Sequence, residues 1–321
     1  MQIITTFTCH LMMIFIIAWP QPVALANINQ LPDLGGSSKL ISPAQERQLG
    51  DAWLRSLRKQ VDTLQDPLIV QYVKDLTYKL APHSQLLDRR LKTVIVDSSA
   101  LNAFAVPGGV IGTNAGLFLY ARTEQEFASV LAHEMAHLSQ RHFARRLEES
   151  QNQAVLNLAG ILASLIVAVA AGSDAGVAAL AGSQAYTIQN QLSYSRLNEQ
   201  EADRIGLATL AASGMDARSM PSMFQRMLRT SRFNRQLPEY LRTHPLTESR
   251  VADTTNRAEA FPQGSYQEDI DYYFAKSRVT LRYTENPEAA LRKFRSVEAK
   301  SAENNNHSSH QYYFAQYGQV L

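Results

Sequence analysis

From residue 42 onward, apolar positions recur mostly at helical spacing, broken once by a short stretch of strand-like residues. Ser42 to Val61 and Pro67 to Leu80 read as two amphipathic helices. Leu91 to Val96, Phe104 to Val106 and Val110 to Gly112 read as short strands, the last two around the turn Pro107-Gly108-Gly109. A helix follows: Thr123 can cap it, Glu126 stands three residues on, and Phe127, Val130, Leu131 and Leu138 repeat at helical spacing. Towards the end, Asp269 to Tyr283, Pro287 to Ala299 and Gln311 to Val320 read as helices, with a polar loop from Ser301 to Ser309. The pattern predicts an α+β chain, mainly helical, with a small β-ribbon near its middle.

Composition places this chain among secreted globular proteins. It has 321 residues, 45% hydrophobic and 19% charged, enough for one large domain and a smaller one. A formal net charge of +2 and the lack of a basic tract give no reason to expect nucleic acid. Residues 1–26 read as a signal peptide: an apolar run from Leu11 to Trp19, then Pro20 and Pro22, then Ala24-Leu25-Ala26 as a cleavage site. Its first residues lack the usual Lys or Arg. The one cysteine, Cys9, falls inside that leader and too early for a lipid attachment site. The mature chain would therefore have neither a disulfide nor a thiol nucleophile. These features point to a bacterial periplasm.

The strongest chemical signal is His133-Glu134-Met135-Ala136-His137. On a helix, two histidines four apart lie one turn from each other on one face, so both imidazoles can reach one zinc ion. Glu134 then projects beside them as a general base. A third protein ligand is needed, usually a carboxylate from a later helix. Downstream, Glu199 and Asp203 are four apart and share a face, so Glu199 can bind the metal while Asp203 orients a ligating imidazole. Glu201 lies roughly 200° round the helix from Glu199 and is expected to face elsewhere. An extended three-histidine site is excluded, because Gln140 and Phe143 stand where it needs Gly and His. His142, about 140° off the face of His137 on a continuous helix, is expected at the surface.

These motifs resemble the HtpX-type zinc peptidases. The resemblance rests on His133-Glu134-Met135-Ala136-His137, then Asn198-Glu199 with Glu201-Ala202-Asp203-Arg204 and Gly206. It includes Asn102-Ala103-Phe104-Ala105-Val106-Pro107-Gly108-Gly109 before them and Thr243-His244-Pro245-Leu246-Thr247-Glu248-Ser249-Arg250 after them. Leu31 to Gly35 resembles the mature start of the periplasmic beta-barrel assembly-enhancing group within that family. The resemblance implies a zincin-like (gluzincin) domain over residues 27–262 with one zinc ion per chain. Its ligands would be His133, His137 and Glu199, with Glu134 as base. It matches His244 to a histidine on or near the zinc, where two roles are open: oxyanion donor, or a fourth ligand that holds the enzyme closed. Arg250, on the same segment, is a second candidate oxyanion contact. Asn102, Ala103 and Phe104 belong to a candidate strand edge for pairing with an extended substrate, although a hairpin supporting the core would look the same. The implied substrates are misfolded or stalled envelope proteins, with the outer-membrane assembly machinery as a partner. The alternative is a latched metalloprotein acting mainly as a chaperone or assembly factor.

Two segments lie outside that core. Ala154 to Ala170 is almost wholly apolar, and Ala175 to Ala185 is rich in Ala and Gly. Each run falls short of the roughly 20 residues a membrane span needs. Closely packed helices, a lid over the metal, or a membrane-surface contact through 154–185 all suit such a sequence. Residues 263–321 open a helix with Asn286-Pro287-Glu288-Ala289-Ala290, an entry of tetratricopeptide type. One such unit is too little to bury a repeat core alone, so this segment is either a partial repeat or a plain helical extension.

Overall fold

The computed structural model describes residues 41–149, 166, 195–233, 238–264, 266–303 and 310–321. The leader 1–26 and, apart from Ile166, the apolar segment 154–185 lie outside these. Among the described residues no helix is long and apolar enough to cross a membrane.

Local sequence explains where the first helices begin. Helix α1 (Pro43–Gln60) starts on a reciprocal capping box: Ser42 Oγ accepts from the Gln45 N–H while Gln45 Oε1 accepts from the Ser42 N–H. Asp66 caps α2 (Pro67–Leu80), whose first position is proline. Their buried faces carry Trp53, Leu54 and Leu57, then Ile69, Val73, Leu76 and Leu80.

Three strands follow, β1 (Lys92–Val96), β2 (Ala103–Val106) and β3 (Val110–Asn114), in the order β1-β3-β2. The expected hairpin is present, with β2 antiparallel to β3 and Val106 opposite Val110. Strand β1 adds to the far side of β3 in parallel, Lys92 opposite Val110. Gly108 turns the hairpin at φ 84°, and a Cβ there would stand 2.4 Å from the Glu46 carbonyl oxygen. Only glycine lets this turn lie against α1.

The remaining described helices are α3 (Gly116–Tyr120), α4 (Glu124–Ser139), α5 (His142–Glu149), α6 (Arg196–Ala212), α7 (Ser219–Phe233), α8 (Glu239–Thr243), α9 (Glu248–Glu259), α10 (Ile270–Arg282), α11 (Pro287–Glu303) and α12 (His310–Val320). Helix α4 is buried from Glu124 to His137. Thr123 caps it by accepting from the Glu126 N–H. Glu126 reaches one residue further back than a capping box would, taking the Arg122 N–H at 2.7 Å. Helix α6 lies directly against α4. A Cβ on Gly206 would be 3.3 Å from the His133 backbone nitrogen and 2.8 Å from Met220 Cε, so glycine allows the close crossing that the site requires.

The last helices build onto the same core. Tyr272 of α10 is fully buried, 5.7 Å ring to ring from both Phe118 and Tyr72 and 5.9 Å from Phe127. Helices α11 and α12 pack through Phe294 and Phe314, and Ser277 of α10 donates to the Phe314 carbonyl at 2.8 Å. Helix α11 runs on past Ser301, where a polar loop was expected. The Ser301 hydroxyl donates back to Val297 O at 3.0 Å, so the serine continues the helix instead of ending it.

Candidate metal centre

Helix α4 presents His133 and His137 one turn apart, with their Nε2 atoms 3.0 Å from each other. Helix α6 brings Glu199 against both: Oε2 is 3.5 Å from His133 Nε2 and Oε1 is 3.4 Å from His137 Nε2. A fourth group arrives from the loop after α8. His244 places Nδ1 3.0 Å from Glu199 Oε1 and Nε2 3.5 Å from Glu134 Oε1. One ligand atom from each of His133, His137, Glu199 and His244 lies within 4.8 Å of the other three. All four residues and Glu134 are at most 2% exposed. His244 is itself held: its N–H donates to the Tyr240 carbonyl at 2.8 Å and the Tyr240 ring stacks on it at 4.7 Å. The Tyr240 N–H reaches Leu101 O at 3.3 Å, tying this loop to the segment just before β2.

Around these groups stands a frame of charges. Asp203 Oδ1 is 3.0 Å from His133 Nδ1. Arg250 was a candidate oxyanion contact, but the structure commits it elsewhere. Its Nε and Nη2 grip Asp203 at 2.8 and 2.7 Å, and its Nη1 meets Glu199 Oε2 at 2.7 Å and Pro245 O at 2.8 Å. With all three nitrogens engaged, it braces the acidic groups, and four of its five N–H donors are already taken. Burial pulls the His133 imidazole down, yet Asp203 and Glu199 outweigh it and lift the group to about 9. Burial lowers His137 well below the usual histidine range. Glu199 would rise on burial, but His244 and the other two imidazoles drive it well below the ordinary carboxylate range. Glu134 is raised, because burial dominates.

The donor set fits zinc. Two imidazole nitrogens, a carboxylate and a further imidazole converge on one point, and among the described residues both buried Glu134 oxygens have no hydrogen-bond partner of ordinary geometry. Nitrogen and carboxylate donors with an oriented ligating imidazole are what zinc sites use.

The expectation that His142 lies at the surface is overturned. It is fully buried, its Nδ1 2.8 Å from His137 Nδ1 and its Nε2 3.0 Å from Glu201 Oε2. Counting 100° per residue assumed one helix through residue 142. Instead α4 ends at Ser139, and Arg141 takes a left-handed φ of 50°, which swings His142 back under His137. No glycine or proline marks the break, so the sequence carried no ordinary signal for it. Glu201 does face away from the ligand cluster, toward His142 and Arg145. Tyr240 also went unnoticed in the sequence.

Strand β2 forms one edge of the sheet, with Asn102, Ala103 and Phe104 all buried. The Phe104 ring packs on Trp53 at 5.5 Å and covers Gly112, so its side chain serves the core. Beside His137 opens a cleft lined by Ala105, Pro107, Leu138 and Phe143.

The model for Peptidase family M48 matches residues 67–258. The chain is 39% identical over 263 residues to the beta-barrel assembly-enhancing protease of Escherichia coli (strain K12), covering 82% of this chain and 54% of that protein. With the protein of the same name from Yersinia pestis it shares 39% identity over 254 residues, 79% of this chain and 52% of the relative. A more distant likeness, 27% over 221 residues, is to the mitochondrial metalloendopeptidase OMA1 of Arabidopsis thaliana, covering 67% and 42% respectively. The chain spans about half the length of these relatives.

Proposed function

The chain belongs to peptidase family M48, and from that premise we propose that it is a zinc-dependent endopeptidase of the periplasm, acting on misfolded or stalled envelope and outer-membrane proteins. One observation carries the reading: His133, His137 and Glu199 converge from two helices with Glu134 buried beside them. We propose these three as ligands and Glu134 as general base.

Bound zinc would supply the Lewis acid that polarises the scissile carbonyl and the attacking water. Glu134 does the proton work. A carboxylate raised by burial is basic enough to take the water's proton and acidic enough afterwards to hand it to the leaving amine. Asp203 and Arg250 hold the imidazole of His133 and the carboxylate of Glu199 in place while this happens. The developing oxyanion needs a donor, and with Arg250 engaged the nearer candidates are His244 and Tyr240, both close to Glu134. An extended substrate is proposed to pair along Asn102, Ala103 and Phe104, which requires the buried edge of β2 to open.

His244 favours a latch. It sits among the ligands with Nδ1 on Glu199, where it fills space the substrate would need. The same observation keeps a second reading alive, a latched metalloprotein that acts mainly as a chaperone or assembly factor. Casein degradation by wild type and His244→Ala, with Glu134→Gln as the inactive control, separates them. Faster cleavage by His244→Ala is the expected result and makes His244 a latch. Activity lost in His244→Ala but present in wild type would make it a participant in turnover. No cleavage by any form would favour the chaperone reading.

A further inference from the structure

We infer that His142 is a positioning residue: with Glu201 and Arg145 behind it, it fixes the tautomer and orientation of His137 toward the metal. The inference rests on the zinc reading above.

His137 turns Nε2 to the ligand cluster, so a neutral ring must carry its hydrogen on Nδ1. That atom lies 2.8 Å from Nδ1 of His142. Two facing ring nitrogens can share only one hydrogen. If His137 donates it, His142 accepts at Nδ1 and carries its own hydrogen on Nε2. There Glu201 Oε2 stands at 3.0 Å, ready to accept, and Arg145 Nη1 holds that same oxygen at 2.9 Å. Each link permits one protonation pattern, and the carboxylate at the far end selects it.

His133 is handled the same way over a shorter path. Its Nδ1 meets Asp203 directly at 3.0 Å, and Arg250 grips Asp203. Both proposed zinc imidazoles thus end on a carboxylate held by an arginine, and both carboxylates come from α6. On α6, Glu199 and Asp203 share one face, while Glu201 points to α5 and needs an intermediary to reach His137. His142 is that intermediary. The backbone is shaped to deliver it: Arg141 adopts a left-handed φ of 50° and is anchored by its own side chain to Glu46 at 3.2 Å and to Ile41 O at 2.6 Å. A non-glycine residue in that conformation is uncommon and persists only where its surroundings hold it.

The competing account is an anchor between α5 and α6 with no bearing on the metal. Zinc affinity of the 321-residue chain, measured by competition with a chromophoric chelator, separates the two. The absorption spectrum of the cobalt-substituted protein and the thermal midpoint of the metal-free protein complete the set. His142→Ala removes both contacts. His142→Asn keeps an acceptor oxygen near Nδ1 but cannot reach Glu201. If His142 positions His137, His142→Ala loses about 10–100-fold in zinc affinity and shifts the cobalt spectrum. His142→Asn then recovers most of that affinity, although its metal-free midpoint falls as in His142→Ala. Zinc affinity of His142→Ala within about twofold of wild type would overturn the inference. So would His142→Asn binding zinc as poorly as His142→Ala, because an acceptor facing His137 Nδ1 would then make no difference to the metal. Should His142→Ala fail to fold, Glu201→Gln decides: a loss of about threefold or more supports the relay, and unchanged affinity overturns it. Wild type holding no stoichiometric zinc would instead overturn the proposed function.

Discussion

Asp203 and His133 form a carboxylate–imidazole pair, with Oδ1 3.0 Å from Nδ1 and both side chains buried. Such a partner orients a ligating imidazole and raises its basicity, and its loss typically costs about 10–100-fold in metal affinity. Asp203→Asn preserves shape but removes the charge, so zinc affinity is expected to fall by about that factor. Arg250 loses a counter-charge at the same time. Arg250 keeps Glu199 as a counter-charge, so a neutral amide in place of Asp203 is expected to cost the metal-free protein about 1.5–3 kcal/mol, since Arg250 is only 4% exposed. Chelator competition and urea unfolding check the two effects separately. Wild-type zinc affinity in Asp203→Asn would sink the pairing role.

The two glutamates of α6 should part company. Glu199 lies within 3.5 Å of both α4 imidazoles, whereas Glu201 pairs with His142 and Arg145. Glu199→Ala is expected to leave no stoichiometric zinc after dialysis. Glu201→Ala should keep one zinc and release it faster to a chelator. Metal analysis of both proteins decides, and the reverse pattern would exchange their roles.

How much of this was readable beforehand depended on whether a feature was local. The pentad, the Glu199–Asp203 spacing and the Pro107-Gly108-Gly109 hairpin are set by a few neighbouring residues, and helical or strand periodicity placed them correctly. What the chain does after a break is not local. Arg141 ends α4 without a glycine, so the burial of His142 could not be counted from spacing. Arg250 was legible as a nearby cation, but only the crossing of α6 and α9 shows that its three nitrogens are already engaged. The parallel pairing of β1 with β3 likewise depends on a contact across the fold.

The helices after residue 262 are expected to melt with the rest of the chain. Tyr272 fills the ring cluster of Tyr72, Phe118 and Phe127 and donates its hydroxyl to Ala121 O at 3.0 Å. Truncating a wholly buried aromatic leaves a cavity worth about 3–5 kcal/mol, so Tyr272→Ala should be strongly destabilised. Tyr272→Phe should lose only about 1 kcal/mol, because Lys276 also donates to that carbonyl. Urea unfolding followed by fluorescence and circular dichroism should show one shared transition for wild type. Two separate transitions, with Tyr272→Ala shifting only one, would mean the tail is an independent unit.

A pH-dependent contact joins that tail to the sheet. Asp97, just after β1, accepts from Arg282 Nε at 2.8 Å and also bonds Arg282 Nη2 and the Tyr283 hydroxyl. The hydrogen bonds from Arg282, and behind them that from Tyr283, hold the Asp97 carboxyl below its ordinary value against the opposing effect of burial. A carboxyl depressed in the folded state contributes stability that is fully present above its unfolded value. That contribution is lost as pH falls through the folded one. Asp97→Asn should therefore lower stability at pH 7, and the gap to wild type should hold down to about pH 4 and narrow below it. The size is modest, about 0.5–1 kcal/mol, because Arg282 is half-exposed and solvent screens the pair. Urea midpoints of both proteins at pH 7, 5, 4 and 3 provide the check. A gap that already closes between pH 7 and 5 would point to a different titrating group, and no gap at pH 7 would show that the contact does not stabilise the tail.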